Sequence, residues 1–440
     1  MRQTTDRGAW RFGRSMMAWV AAATLGAAGC DGRDVIGPVP AIDRLPRALT
    51  VAEQTVIRSS NGFGFDLFGR VLAAESGPNV FLSPLSASMA LGMTMNGAAG
   101  ETWEAMRHTL HFDGLSDAEI NQSYRGLMDV LVDLDPLVTL RIGNSVWSRL
   151  GFPFESAFFT TVHDYFDAEA RELDFKDPAS VGVINGWASA ATNGRIEQVI
   201  ESISPDHIMF LLNAVYFKGT WERQFDEDAT RSAPFTRADG AQVTVPMMHL
   251  AEGAVLSTST SAYQAIELPY GGKAFAMTIV LPSAGRDVSD LVALLDAEAW
   301  AALVADLDST RLEVRMPRFR LEYEELLNRP LSDMGMAIAF SEAADFTRLT
   351  PVAQSLPVCI HFVKQNTFVE VNEQGTEAAA VTTVGIGVVS ARPMFVVDRP
   401  FLFAIRERLS GSILFIGAIG DPTAQESAPA GDPGRVCSGG

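Results

Sequence analysis

Apolar residues recur at every third or fourth position through residues 84–99 and again through 101–110, the stripe expected of core-facing helices, with Gly100 separating the two runs. Ser116, followed three residues later by Glu119, forms a capping-box pattern that opens a further helix over about 116–133. Beyond residue 207 the pattern changes. Short runs rich in β-branched and aromatic residues at 208–217, 243–248, 265–268, 274–281, 312–316, 362–371, 401–405 and 413–419 predict strands. Helices followed by strands predict an α+β fold with mainly antiparallel sheets. No linker-like composition interrupts residues 47–421, which read as one domain. Residues 30–46, rich in Pro and Gly, read as a tether, and residues 422–440 lack apolar periodicity and read as a disordered tail.

Composition adds a large core, with 47% hydrophobic and 20% charged residues. The net charge of −19 excludes nucleic acid and other polyanions as partners, because phosphate binding needs clustered Lys and Arg. The N-terminus has the pattern of an export signal over 1–29: Arg2, Arg7, Arg11 and Arg14 precede the apolar run 16–28, and small residues lead into Cys30. That segment resembles a bacterial lipoprotein signal, which implies a lipidated Cys30, an exported protein in the periplasm or outside the cell, and a membrane anchor. An ordinary cleaved signal with Cys30 incidental is the alternative. Cys359 and Cys437 are the remaining cysteines, too few for a disulfide framework, and one bridge between them stays open.

Enzyme signatures are missing. The sequence holds no GxSxG, HExxH or GxxxxGK[ST] pattern. Gly385 and Gly387 begin a dinucleotide-like fingerprint, but Ser390 occupies the third glycine position and Pro393 forestalls a following helix. No Cys/His cluster has zinc spacing, so no metal or other cofactor is expected.

Four separated blocks carry a resemblance. They are Asn79-Val-Phe-Leu-Ser-Pro-Leu-Ser86; Ile184-Asn-Gly-Trp-Ala-Ser-Ala-Ala-Thr-Asn-Gly-Arg-Ile196; Leu212-Asn-Ala-Val-Tyr-Phe-Lys-Gly-Thr-Trp221 with Val245-Pro-Met-Met248 downstream; and Phe368-Val-Glu-Val-Asn-Glu-Gln-Gly-Thr-Glu-Ala-Ala-Ala380 with Asp398-Arg-Pro-Phe401 beyond. In order and spacing the chain resembles the serpin family. The resemblance implies a monomer with three mainly antiparallel β-sheets, eight or nine helices and an exposed reactive-centre loop. It implies a serine protease inhibitor rather than an enzyme. The loop runs from Glu373 to about Arg392, with a hinge of Glu373, Gly375, Thr376, Glu377, Ala378, Ala379 and Ala380. Family counts forward from Gly375 and back from Pro400 agree on Val389–Ser390 as the reactive bond.

Inhibition of this kind requires the cut loop to enter a sheet as a new strand, carrying the acylated protease with it. Strands present alternate residues to opposite faces. Thr376, Ala378, Ala380, Thr382, Val384 and Ile386 make a small-to-apolar set suited to burial, and no Pro interrupts 374–389. Gly375 reads as a flexible hinge. The competing reading of 376–380 is an N-capped helical turn, which Val381 to Gly385 would end early.

The short side chain of Val389 suits a shallow apolar specificity pocket, so the expected partners are elastase-like or subtilisin-like serine proteases that cut after small aliphatic residues. The resemblance also implies a sheet-opening cluster of Ser83, Ser86 and Asn213, with Gln365 where the family has His, so charge gating at that position is not expected. Trp221 matches the aromatic residue at the loop's entry point, and Arg318 matches a basic partner of Glu373. Arg125 stands among Asp117, Glu119, Asp129 and Asp133 on the helix that binds heparin in some serpins, so a glycosaminoglycan cofactor is not expected. A non-inhibitory serpin acting as a carrier or binding protein is the rival function.

Overall fold

The computed structural model describes residues 40–376 and 393–425. Its helices follow from local capping and burial. Thr50 accepts the Glu53 N–H while the Glu53 carboxylate accepts the Thr50 N–H, a reciprocal cap that starts α1 (Val51–Ala74). The sequence reading placed no helix there, because Ser59 and Ser60 interrupt the apolar stripe yet are buried with it. Ser83 caps α2 (Pro84–Met95) with Pro84 in the first turn, and α3 (Gly100–Thr109) follows. Ser116 and Glu119 form the expected capping box at the start of α4 (Asp117–Leu131). The remaining helices are α5 (Ser156–Phe166), α6 (Ala179–Ala191), α7 (Val288–Val292), α8 (Ala297–Ala305) and the short α9 (Asn328–Leu331).

Two hydrogen-bonded sheets carry the described strands. The larger joins β1 (Asn79–Leu82), β15 (Ile413–Ile419), β14 (Phe401–Glu407), β8 (Phe275–Pro282), β7 (Tyr263–Pro269), β6 (Gln242–Ser259), β9 (Asp308–Pro317) and β13 (Met394–Val396), with β5 (Arg231–Thr236) on a second edge of β6. The second and third of the three expected sheets are continuous here through β6, whose register shifts between Leu250 and Gly253. One stretch of β6 pairs with β5 and a later one with β7. The smaller sheet runs β10 (Phe319–Leu326), β11 (Lys364–Asn372), β12 (Gly375–Thr376), β4 (Met209–Thr220), β2 (Val138–Arg149) and β3 (Glu169–Leu173). Pairing is antiparallel except at β2–β3 and β9–β13.

Two long strands were not read from sequence. In β2, Gly143-Asn144-Ser145 breaks the apolar alternation, and the strand is sandwiched between β4 and β3 with helices above and below. In β10 the alternation is clean, with Phe319, Leu321 and Tyr323 buried, so that signal was present.

The core joins α1 and α2 to the larger sheet, where Phe81 stacks between Phe403 and Phe415 at 5.6 and 5.2 Å. A separate small cluster of Trp147, Phe175, Ile184, Ile200 and Phe210 lies beneath α6. Among the described residues no helix is long and apolar enough to cross a membrane. Residues 40–46 form neither helix nor strand, yet the Ile42 N–H donates to the Gly272 carbonyl at 2.7 Å. At the other end the Asn79 side chain donates to the Asp421 and Ala424 carbonyls, both at 2.9 Å. Cys359 is disulfide-bonded, and its partner lies outside the described residues.

One buried charge is held by the larger sheet. Glu267, 1% exposed, accepts from Arg406, from Arg408 at 2.7 Å and from Thr278 at 3.2 Å. Glu267→Ala strands the equally buried Arg406 without a counter-ion and is expected to cost about 3–5 kcal/mol, measured as a lowered midpoint in urea unfolding.

Candidate site of strand insertion

β4 and β11 are parallel neighbours that do not pair with each other among the described residues; on their facing edges each pairs only with β12, while their outer edges pair with β2 and β10. At their upper ends they therefore stand two strand spacings apart, on the order of 10 Å. Below, a cavity of about 660 Å³ opens between them, lined by Phe210, Asn213, His361, Gln365 and by Trp187 of α6.

Four side chains fix the upper end. The Trp221 N–H donates to the Gln374 carbonyl at 2.8 Å and its indole Nε1 to the Asn372 carbonyl at 2.9 Å. Its ring stacks on Tyr270 with centroids 4.4 Å apart. The Tyr270 hydroxyl and Thr376 Oγ1 share a hydrogen bond of 2.8 Å, with Thr376 only 3% exposed. Burial pushes the Tyr270 phenol far above its ordinary value, so it stays a neutral donor. Asn372 Oδ1 accepts from the Gln374 and Gly375 N–H groups at 3.0 and 3.2 Å, turning the chain into β12.

Gly375 has φ +157°, and a Cβ there would sit 2.0 Å from the Gly219 carbonyl oxygen. In this structure it lies in close approach to β4, which only a residue without a side chain permits. Gly219 is constrained likewise, since a Cβ on it would lie 2.8 Å from the Tyr270 ring.

Glu373 and Arg318 meet at 2.6 Å, and the same Glu373 oxygen accepts from Thr230 Oγ1 at 2.6 Å. Burial opposes ionisation of Glu373, but the bonds from Arg318 and Thr230 outweigh it and hold the carboxyl below its ordinary value.

Midway down, the predicted cluster divides between the two walls. Gln365 Oε1 accepts from the Ser83 N–H and Gln365 Nε2 donates to the Ser83 carbonyl, both at 2.9 Å. Ser83 Oγ donates to the Leu414 carbonyl at 2.7 Å and accepts from the Ser86 N–H at 3.2 Å. Asn213 does not join them. Its amide donates to Asn144 Oδ1 at 2.6 Å and faces Met89 Sδ at 3.3 Å, while Asn144 donates to the Phe166 carbonyl at 2.7 Å. Asn213 Oδ1 is buried without a partner. The reason is geometric: Gln365 belongs to one wall and Asn213 to the other, and the walls are parted.

Glu377, Ala378, Ala379, Ala380, Val389, Ser390, Cys30 and Cys437 lie outside the described residues. Sequence reasoning missed Tyr270, Thr230, Asn144 and Asn372. Of these only Asn372 carried a local signal, an Asn ahead of Gln-Gly at a turn.

Between two parallel strands the sheet is parted, with a two-residue segment seated between their tips and room for one more strand below it. The family Serpin (serine protease inhibitor) matches residues 58–422. An uncharacterized serpin-like protein of Thermococcus kodakarensis is 34% identical over 382 residues, covering 84% of this chain and 86% of that protein. The leukocyte elastase inhibitor of Bos taurus is 32% identical over 374 residues, covering 82% and 97%. The native-state crystal structure of the thermophilic serpin tengpin matches with a TM-score of 0.77 at 28% identity, over 87% of this chain and 97% of that one. The chain belongs to the serpin family of protease inhibitors.

Arg318→Gln leaves the Glu373 carboxylate buried with Thr230 alone. With Arg318 half exposed, the loss is expected at about 1–3 kcal/mol near neutral pH. The Glu373 carboxyl titrates near 4.3 in the unfolded chain and lower in the folded one. The pair's contribution is therefore complete above about pH 4.3 and lost as pH falls through the folded value. Urea unfolding of parent and variant should converge under acid.

Proposed function

We propose that this serpin traps serine proteases by inserting its cut loop between β4 and β11. The observation that carries the reading is β12: Gly375 and Thr376 already pair with Gly219 and Thr220 on one side and with Val371 and Asn372 on the other. The next residues of the chain need only continue the same ladder downward. The catalytic serine of the protease would attack the Val389 carbonyl carbon, the Ser390 amine would leave, and the ester to Val389 would travel with the strand.

Register supports the fit. Continuing six residues beyond Thr376 brings Thr382 opposite both Asn213 and Gln365, where its hydroxyl can donate to the orphaned Asn213 Oδ1. In an inserted strand Ala378 and Ala380 would fall on the same face as Thr376, and they carry no bulk. About thirteen further residues gain backbone partners, each contributing about 0.5–1.5 kcal/mol net. That sum supplies the driving force once the loop is cut.

Val389 favours proteases with a shallow apolar specificity pocket, elastase-like or subtilisin-like, and the kinship with the bovine leukocyte elastase inhibitor points the same way. Cys30, by the lipoprotein-like pattern around it, would carry acyl chains and hold the exported inhibitor at a membrane.

Mixing the purified protein with pancreatic elastase should give a complex that survives denaturing electrophoresis, together with some cleaved inhibitor. Complete cleavage without complex across several proteases of that specificity would favour a carrier or binding role instead. Thr376→Arg places a charge where the hydroxyl now meets Tyr270. It is expected to convert the inhibitor into a substrate, with at least a tenfold rise in the moles consumed per mole of protease inactivated, because an unpaired charge must enter the core.

A further inference from the structure

The lower end of the slot is closed by side chains, not by backbone. His207, two residues ahead of β4, packs edge-on against His361 and Phe362, just ahead of β11, with ring centroids 5.2 and 5.8 Å apart. Phe210 of β4 lies 6.1 Å from Phe362 and 5.1 Å from His207. The four rings thus join the two walls that β12 joins at the top. Phe210 and Phe362 both belong to the cluster beneath α6.

Register places this clasp on the path of the incoming strand. Thr376 pairs with Gly219 and with Val371, and nine residues back along the two walls stand Phe210 and Phe362. The loop residue arriving between them is the ninth after Thr376, Gly385, which brings no side chain into the gap.

We propose that the clasp of His207, Phe210, His361 and Phe362 is the last barrier to the descending strand, and that protonation of the two imidazoles releases it, so that insertion is faster in mild acid. This inference rests on the insertion reading above and adds to it a determinant of how quickly insertion completes.

Geometry holds the closed clasp neutral. The Ser204 N–H donates to His207 Nδ1 at 3.1 Å, which requires a lone pair on that nitrogen. Burial pushes His207 down to about 4, with the neighbouring His361 and Arg149 adding to the effect and Asp206 opposing it. His361 is also lowered by burial, again against Asp206. From β2, Arg149 donates to the Pro205 and His207 carbonyls, keeping a positive charge beside the pair. On the facing wall Lys364 is tied to Glu324 at 3.0 Å, and Glu342 lines the same cavity.

Once the clasp parts, the imidazoles reach water and regain a value near 6.5. Below that pH and down to about 4 the parted state binds more protons than the closed one. Each imidazole then favours parting by up to about tenfold per pH unit. A second protonation also sets two like charges side by side.

The test uses the intact full-length protein and a synthetic peptide with the sequence of residues 376–389, its uptake followed on native gels from about pH 7.5 to about pH 5, the range in which histidines ordinarily change charge. Burial also raises the Glu325 and Glu407 carboxyls, so the histidine variants carry the assignment. Wild-type uptake should accelerate about tenfold or more over that range. The double variant His207→Gln/His361→Asn should show a flat profile, and His361→Asn alone, a fallback if the double variant folds poorly, a shallower one than the parent. Phe362→Ala should take up peptide faster at every pH. A wild-type rate indifferent to pH, or an acid acceleration that persists unchanged in the histidine variants, overturns the clasp while leaving insertion intact. No uptake by any of these proteins at any pH removes the slot and the clasp with it.

Discussion

The facing edges of β4 and β11 lie in the middle of a sheet and find no partner among the described strands except the two residues of β12. Backbone donors and acceptors left without partners away from water are costly, so a sheet parted in this way is held open by the structure around it. The upper end is wedged by Thr376 on Tyr270, stacked in turn on Trp221. The lower end is spanned by rings. Between them each wall is fastened to its own side: Gln365 to the Ser83 backbone, Asn213 to Asn144. Those separate fastenings let the walls stand apart without loss of either.

On the insertion reading proposed above, the same arrangement would make the fold a store of free energy. A strand that enters completes two ladders at once and presents a hydroxyl to Asn213 Oδ1, which now has no partner. On that reading nothing comparable would be available before cleavage, because the chain is held at β13, where Met394 pairs with Glu313 and the Glu313 N–H donates to the Pro393 carbonyl. Cutting the loop removes that restraint. The Glu373–Arg318 pair holds the point where the chain turns into β12 with charge-assisted bonds.

Gln365 stands where the family resemblance leads one to expect His, and its amide makes a different bond. An amide satisfies the Ser83 N–H and carbonyl together, which a single imidazole cannot do in one tautomer. The bond it makes is indifferent to pH. The histidines that line the cavity are instead His207 and His361, at the base of the slot, where burial rather than a partner charge dominates their behaviour.

Much of this was legible in the residues. The Ser116–Glu119 capping box and the order of helices before strands are local or periodic features, and a linear sequence records such features directly, whereas the Glu373–Arg318 pair was reached through the family resemblance. The clean alternation of Phe319, Leu321 and Tyr323 was there as well and went unread. What the sequence did not contain was which side chains share a wall. Asn213 and Gln365 belong to one family motif but lie on opposite sides of a parted sheet. Tyr270, Thr230, Asn144 and the four rings of the clasp meet across separations of dozens to more than a hundred residues. Only long-range strand register, which depends on how every other strand packs, brings those groups together.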